Sequence, residues 1–148
     1  MKRKHIAIDL DDTLIYRVGS MEWEIDETAK LYLRRIQDEF NFKFSLITAR
    51  PRDSLREVQN IVRIIESQLG VTFKNIVCTD FNMKGAYCDE LGCSVIIDDN
   101  ESFMSDCSRQ MPPVTAILFG QSNNGSPDGY IGCPTWKEVY LYFRYQNQ

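Results

Sequence analysis

The 148-residue sequence contains one histidine, His5, and its five cysteines include no C-x-x-C pair. Catalysis by a Ser–His or Cys–His pair therefore has little support, and a zinc site would lack its usual ligand spacing. An odd number of cysteines without paired spacing is typical of free thiols in a reducing compartment. The chemistry of this chain must come from other polar residues.

Long apolar runs are also absent. No stretch approaches the ~20 residues needed to cross a bilayer. The basic residues 1–5 are followed by only three apolar residues before Asp9, which is too short for the apolar part of a signal peptide. We therefore expect a cytoplasmic protein that is not bound to a membrane. The net charge of −4 provides no bulk attraction to nucleic acid, although a local basic patch is compatible with it.

The composition is that of a globular protein, with 43% apolar and 26% charged residues and no internal repeat. We expect one domain over residues 1–148. Apolar runs alternate with helical patterns, which predicts an α/β fold with a central parallel sheet of about five strands flanked by helices. The predicted strands are residues 5–10, 42–47, 75–78, 94–97 and 114–119. The predicted helices are residues 26–40, 54–69, 84–91 and 135–145.

Several residues mark the ends of these elements. Asp26 is a good N-cap, Gly70 is a good helix terminator, and Ser54 with Glu57 matches a capping box. Residues 121–134 are rich in Gly, Asn and Pro and predict a polar loop. The role of that loop is left open.

Polar residues follow four of the five predicted strands. Because the carboxyl ends of parallel strands meet at one edge of the sheet, we expect these residues to lie together. The first strand leads into D-L-D-D-T (residues 9–13), the second into T-A-R (48–50), the third into the helix that begins at Lys84, and the fourth into D-D (98–99).

This ordered set resembles the four motifs of the haloacid dehalogenase superfamily. Residues 9–13 match its first motif, D-x-D-x-T, and the apolar run ending at Thr48 is similar to its second. Lys84 and the pair Asp98–Asp99 match the third and fourth. The resemblance implies a Rossmann-like domain whose strand order is third, second, first, fourth, fifth. Only residues 14–25 separate the first motif from the next helix, enough for a flap, so we expect no cap domain.

The resemblance also implies a Mg²⁺-dependent phosphatase, because an aspartate at position 11 favours phosphoester hydrolysis, with a phosphomutase as the minor alternative. Asp9 would be both the nucleophile and a metal ligand. Asp11 would give its backbone carbonyl to the metal, and its side chain would act as general acid and then general base. Asp99 is the expected metal ligand of the acidic pair. Asp98 would bind the metal, directly or through water, or would support the metal ligands from behind them. Mg²⁺ would offset the repulsion between phosphate and carboxylates.

The remaining site residues are expected to hold the substrate. Thr48 and Lys84 would clamp the phosphate oxygens, and Lys84 would also neutralise the charge between the carboxylates. Lys74 is an alternative lysine, but it precedes the third strand, at the other edge of the sheet. Ala49 and Arg50 are candidate substrate-binding residues, because the guanidinium lies two positions beyond Thr48 and suits a phosphate.

The substrate class is less well defined. The pattern of T-A-R, Lys84 and D-D is similar to the phosphatase domain of bacteriophage polynucleotide kinase, which removes 3′-phosphates from nucleic-acid ends. The expected partner is thus a nucleotide, a nucleic-acid end or a small phosphoester. Capless relatives also act on phosphoproteins, which stays an alternative. The sequence does not predict the oligomeric state.

Two rival classes remain. A two-component receiver domain also combines acidic residues, Thr and Lys around Mg²⁺, but its phosphorylated aspartate follows the third strand. Here Asp80 is the candidate at that position, and Lys84 precedes the last acidic pair, which is the wrong order. The second rival is an inactive relative that serves as a binding module. The intact set of motif residues argues against it, although intact motifs do not prove turnover.

Overall fold

The structure, a computed structural model, describes residues 4–102, 114–120 and 130–147. Strands and helices alternate in these ranges as predicted, and most of their bounds agree with the sequence patterns to within one or two residues. The strands are β1 (His5–Ile8), β2 (Ile15–Arg17), β3 (Trp23–Ile25), β4 (Lys43–Thr48), β5 (Phe73–Cys78), β6 (Val95–Asp98), β7 (Thr115–Phe119) and β8 (Ile131–Cys133). The helices are α1 (Glu27–Phe40), α2 (Leu55–Leu69), α3 (Gly85–Leu91) and α4 (Trp136–Gln146).

Six strands form one parallel sheet in the order β5-β4-β1-β6-β7-β8. The predicted order of the first five sheet strands is confirmed. The sixth, β8, was missed because residues 131–133 lie within the predicted polar loop 121–134, and three residues with a central glycine carry almost no strand signal. They pair with β7 only because the tertiary structure brings them there. Residues 121–129 of that loop lie outside the described residues.

Both faces of the sheet are covered by helices. The larger apolar cluster joins one face to α1, α2 and α4, through residues such as Leu33, Val62 and Phe143. The smaller cluster joins the other face to α3, through Cys88 and Ile96. Burial on both faces explains why the central strands read as continuous apolar runs.

The helix ends agree only in part with the sequence signals. The side chain of Asp26 accepts hydrogen bonds from two backbone amides of α1, and Gly70 ends α2 in the left-handed conformation at φ 70°. The predicted capping box at Ser54 is wrong. A short 3-10 turn precedes α2, the Ser54 side chain makes no capping hydrogen bond, and Glu57 pairs with Arg50 instead.

The only insertion between the first motif and α1 is a small hairpin, β2 and β3, which we call the flap. Between β4 and α3 the chain forms only the 3-10 turn, α2, β5 and the loop that follows it. Within residues 4–102 there is therefore no cap domain, as predicted. None of the helices in the described part of the chain is long and apolar enough to span a membrane.

The one histidine has structural partners. The buried His5 side chain contacts the hydroxyl of Ser45 through Nε2, at 2.5 Å, and the carbonyl of Leu91 through Nδ1, at 3.0 Å. Burial lowers the pKa of His5, which favours the neutral ring. Four cysteines are buried free thiols, and Cys107 lies outside the described residues.

The last helix is tied to the acidic loop that follows β1. The fully buried Trp136 donates from Nε1 to the backbone carbonyl of Thr13, at 2.9 Å. Its backbone amide donates to the hydroxyl of Thr28 on α1, at 3.0 Å. The end of the chain therefore braces the loop that contains the first motif.

We predict that Trp136→Phe lowers the free energy of unfolding by about 1–3 kcal/mol, because the Thr13 carbonyl is left buried without this donor. Urea denaturation of the two proteins measures this difference. Tyr145→Phe is the matched control, since Tyr145 lies on the same helix with its side chain mostly exposed. A loss no larger than that of the control would mean that the hydrogen bond contributes nothing.

Candidate active site

The carboxyl ends of β1, β4 and β6 meet around an open cavity of about 270 Å³. This edge is where ligands bind in open α/β sheets. It brings together seven of the eight residues predicted for the site, and the eighth, Lys84, lies directly behind Asp9 and Asp98. The residues that line the cavity are Asp9, Asp11, Asp12, Thr48, Ala49, Arg50, Pro51, Phe81, Asp98, Asp99 and Asn100.

Lys84 is completely buried at the start of α3. Its ammonium group donates to Asp9 Oδ1 at 2.9 Å and also to Asp98 Oδ2. Burial alone would lower the pKa of Lys84, but the charges and hydrogen bonds of the two carboxylates raise it above its usual value. The lysine is therefore a fixed cation between two acidic strand ends. Lys74, the alternative, is exposed near the start of β5.

Three carboxylates form a compact group on the cavity side of Lys84. Ligand oxygens of Asp9, Asp98 and Asp99 lie within 4.8 Å of one another. Burial and the Asp9 charge raise the pKa of Asp98 to about 6, and burial with the Asp9 hydrogen bond raises the pKa of Asp99 to about 8. A hard divalent cation such as Mg²⁺ prefers oxygen ligands and would neutralise this charge, so the donor set fits it.

Asp11 lines the same cavity but does not belong to that group. Its carboxylate receives two hydrogen bonds from Arg50, from Nε at 2.9 Å and from Nη2 at 2.8 Å. The same guanidinium contacts Glu57 through Nη1 at 3.3 Å. The hydrogen bonds to Asp11 are the main cause that raises the pKa of Arg50. The predicted substrate-binding arginine thus lines the cavity, but its side chain is paired with Asp11, which the sequence did not predict.

Two hydroxyl groups lie at the strand ends. The Thr13 side chain donates to Asp9 Oδ2 at 3.3 Å, and the buried Thr48 side chain accepts from the backbone amide of Arg50 at 3.4 Å. Thr48 is therefore oriented by the turn that contains Ala49, and both residues reach the cavity. Asp12, with φ 61°, adopts the left-handed conformation that allows the chain to turn after β1.

Phe81 was not identified from the sequence as a site residue. It follows β5 in the loop before Lys84 and lines the cavity, although its side chain is 71% exposed. A single aromatic residue in a short loop carries no pattern that distinguishes it from a core residue. Its position beyond the carboxyl end of a strand was the one available signal.

The comparisons with known proteins support the fold that brings these residues together. No protein-family model matches the chain, and no curated protein matches it. Two solved structures match nearly all of it. One is a candidate β-phosphoglucomutase from Thermotoga maritima, at 11% identity and a TM-score of 0.66, covering 96% of this chain and 99% of that one.

The other is the core domain of a candidate phosphoglycolate phosphatase from Streptococcus pneumoniae TIGR4, at 14% identity and a TM-score of 0.57. That match covers 97% of each chain. Both neighbours have the same α/β architecture. The chain has the haloacid dehalogenase fold. The four motifs that suggested this fold from the sequence all lie at the carboxyl ends of the strands of the central sheet.

The raised pKa of Asp99 predicts how the stability of the metal-free protein depends on pH. The pKa of Asp99 is about 8 in the folded protein and near 3.8 when unfolded, so only the folded state holds this proton between those values. Stability must then fall as the pH rises towards 8. In EDTA, we expect the melting temperature of wild type to fall more between pH 6 and 9 than that of Asp99→Asn. Parallel pH profiles would contradict this account of Asp99.

Added Mg²⁺ should offset this loss of stability at high pH. At pH 8 we expect it to raise the melting temperature of wild type by roughly 5–10 °C when present at about 100 times its dissociation constant. Asp99→Asn should show little of this increase. Asp80→Asn is the matched control, since Asp80 is exposed and outside the cavity. An equal increase in Asp99→Asn would exclude Asp99 as a metal ligand.

Proposed function

We propose that this protein is a Mg²⁺-dependent phosphomonoester hydrolase that forms an aspartyl-phosphate on Asp9. Its substrates would be nucleotides or nucleic-acid ends that carry a 3′-phosphate. The observation that carries the proposal is the cluster of Asp9, Asp98 and Asp99 in contact with a completely buried Lys84, at the ligand-binding edge of a haloacid dehalogenase fold. The names of both structural neighbours refer to phosphate esters, which supports the reaction class.

Mg²⁺ held by Asp9, Asp98, Asp99 and the Asp11 carbonyl would offset the repulsion between the substrate phosphate and the carboxylates. Lys84 holds Asp9 in place for attack, because one carboxylate oxygen receives its hydrogen bond. Thr13 contacts the second oxygen. Thr48 and the backbone near Ala49 would hold the oxygens of the phosphate at the open side of the cavity.

In the first step an oxygen of Asp9 forms a bond to phosphorus, and the bond between phosphorus and the ester oxygen breaks. Asp11 gives its proton to the leaving oxygen. In the second step Asp11 takes a proton from water, whose oxygen attacks the phosphorus of the aspartyl-phosphate. This releases inorganic phosphate and restores Asp9, and Asp11 is again protonated.

Arg50 has a further role in this proposal. While both Asp11 oxygens accept hydrogen bonds from Arg50, the carboxylate is engaged by the guanidinium and is not placed to donate to a leaving group. A substrate phosphate is a stronger partner for the guanidinium than one carboxylate. Transfer of Arg50 to the phosphate would free Asp11 to carry the proton that the first step needs.

The reaction would take place in the cytoplasm, which the free thiols of four cysteines support. The single-domain organisation over residues 1–148 is part of the same proposal. With no cap within residues 4–102, water must be excluded by the flap and by the substrate itself. An open site of this kind suits a phosphate at the end of a larger molecule.

The decisive experiment is the release of inorganic phosphate with and without Mg²⁺. The substrates are p-nitrophenyl phosphate, a set of nucleotides and a 3′-phosphorylated oligonucleotide. We expect Mg²⁺-dependent release that Asp9→Asn lowers at least ~10³-fold while its circular dichroism spectrum is unchanged, because the nucleophile is lost.

Asp80→Asn is the matched control and should keep the wild-type rate. A receiver domain would give the opposite pattern, with phosphorylation lost in Asp80→Asn. No release from any substrate by a protein that binds Mg²⁺ would contradict the proposal and favour an inactive binding module or a phosphoprotein substrate. Near-normal release by Asp9→Asn would show that the nucleophile is a different group.

The role of Asp11 is tested by comparing leaving groups. Asp11→Asn should slow the hydrolysis of an alkyl phosphate by about 10²- to 10⁴-fold, because its leaving oxygen needs a proton. p-Nitrophenolate leaves without one, so formation of the phospho-enzyme from p-nitrophenyl phosphate should be affected much less. Rapid-quench measurements should then show accumulated phospho-enzyme, since the base of the second step is missing. Equal losses in the rate of phospho-enzyme formation from both substrates would argue against Asp11 as the acid.

A further inference from the structure

The candidate active-site cavity has an apolar wall beside its acidic floor. The wall consists of Ala49, Pro51 and Phe81. These residues are adjacent, because the backbone amide of Phe81 donates to the carbonyl of Ala49 at 2.8 Å. Catalysis at Asp9 gives no role to an apolar wall. The wall is therefore available to contact the part of the substrate that is not phosphate.

Phe81 has an unusual conformation for a bulky residue. Its φ is 65° and that of the preceding Asp80 is 57°, so two consecutive non-glycine residues adopt the left-handed region. The phenyl ring is 71% exposed, so the strained backbone is not compensated by burial of the ring. Strained residues of this kind cluster at ligand-binding positions.

The loop that holds Phe81 is well defined by hydrogen bonds. The amides of Thr79 and Asp80 donate to the carbonyls of Thr48 and Arg50, at 2.8 and 3.1 Å. The amide and the side-chain amide of Asn82 both donate to the Thr79 carbonyl, at 3.1 and 2.9 Å. The backbone at Phe81 is consequently fixed beside the T-A-R turn before any ligand arrives. A group presented in this way loses little entropy on binding.

We propose that Phe81 is the stacking residue of this site, and that the substrate is a nucleoside phosphate whose base lies against the phenyl ring. This inference rests on the proposed phosphatase function and specifies its substrate class. Every base has an apolar π-face that stacks on an aromatic ring, whereas a glycerol phosphate has no such face. Any of the bases can make this contact, because stacking alone does not distinguish one base from another.

The charge of the chain favours binding of a single terminal nucleoside over binding of a long stretch of nucleic acid. The net charge is −4, and the floor of the cavity carries several carboxylates. Such a surface repels a run of backbone phosphates. Stacking of a single terminal nucleoside needs only the ring and the phosphate site.

The test compares a phosphate ester that contains a base with one that does not. The variant is Phe81→Asn, which removes the ring but keeps a residue that tolerates the left-handed conformation. We expect kcat/KM for adenosine 3′-monophosphate to fall about 5- to 100-fold, mainly through KM. For glycerol 2-phosphate we expect kcat/KM to stay within about twofold of wild type.

Two matched controls separate stacking from general damage. Phe81→Tyr keeps the aromatic face and should retain the wild-type preference for the nucleotide. Leu31→Asn removes an exposed apolar side chain from α1, outside the cavity, and should change neither substrate. Equal losses on both substrates in Phe81→Asn, or no loss on either, would overturn the proposal.

A binding measurement distinguishes failure of this proposal from failure of the phosphatase function. Adenosine 3′-monophosphate is titrated calorimetrically into Asp9→Asn and into the double variant Asp9→Asn/Phe81→Asn, with Mg²⁺ present. If wild type hydrolyses no substrate, the phosphatase function fails. A dissociation constant that rises about 5- to 100-fold on loss of the ring would still support stacking. An unchanged constant, or no binding to either protein, would overturn it.

Discussion

The ion pairs of the buried Lys84 are the constraint on which the rest of this site depends. They join the end of β1, through Asp9, to the end of β6, through Asp98, at the start of α3. Burying an ammonium group without partners would be prohibitive, and burying two carboxylates side by side would be equally unfavourable. Each charge therefore requires the others. When a whole buried group of ion pairs is replaced by apolar residues, the stability of a protein is often unchanged or increased. A buried triad of this kind is therefore better explained by function than by stability.

The charge balance of the site extends outwards from this triad. Asp99 brings a further carboxylate to the cavity, and its raised pKa reflects burial among negative groups. On the opposite side Arg50 neutralises Asp11 through a two-point hydrogen bond. The structure thus contains a group of three carboxylates, Asp9, Asp98 and Asp99, that suits a cation, and a separate carboxylate, Asp11, that is paired with an arginine. The reaction proposed above, with Asp9 as nucleophile and Asp11 as acid, would need such a separation.

Much of the fold and part of the site follow from the sequence alone. Apolar runs, helical periodicity and the caps at Asp26 and Gly70 are local signals, and they correctly predicted most elements. The order of five strands was implied by the resemblance of the four motifs to a known family, and it is confirmed. The convergence of residues such as Asp9, Thr48 and Asp98 also followed, because parallel strands deliver their carboxyl ends to one edge. Local chemistry therefore determined which residues meet.

Only the tertiary structure decided how those residues pair. The capping signal at Ser54 failed because Glu57 contacts Arg50, which lies outside the helix and offers a charged partner. The strand at residues 131–133 exists because β7 offers an unpaired edge. The exposed ring of Phe81 depends on hydrogen bonds to a loop more than 30 positions away in sequence. Short-range patterns specify the elements and their polar ends, but pairing energies depend on distances in space, which the sequence by itself does not contain.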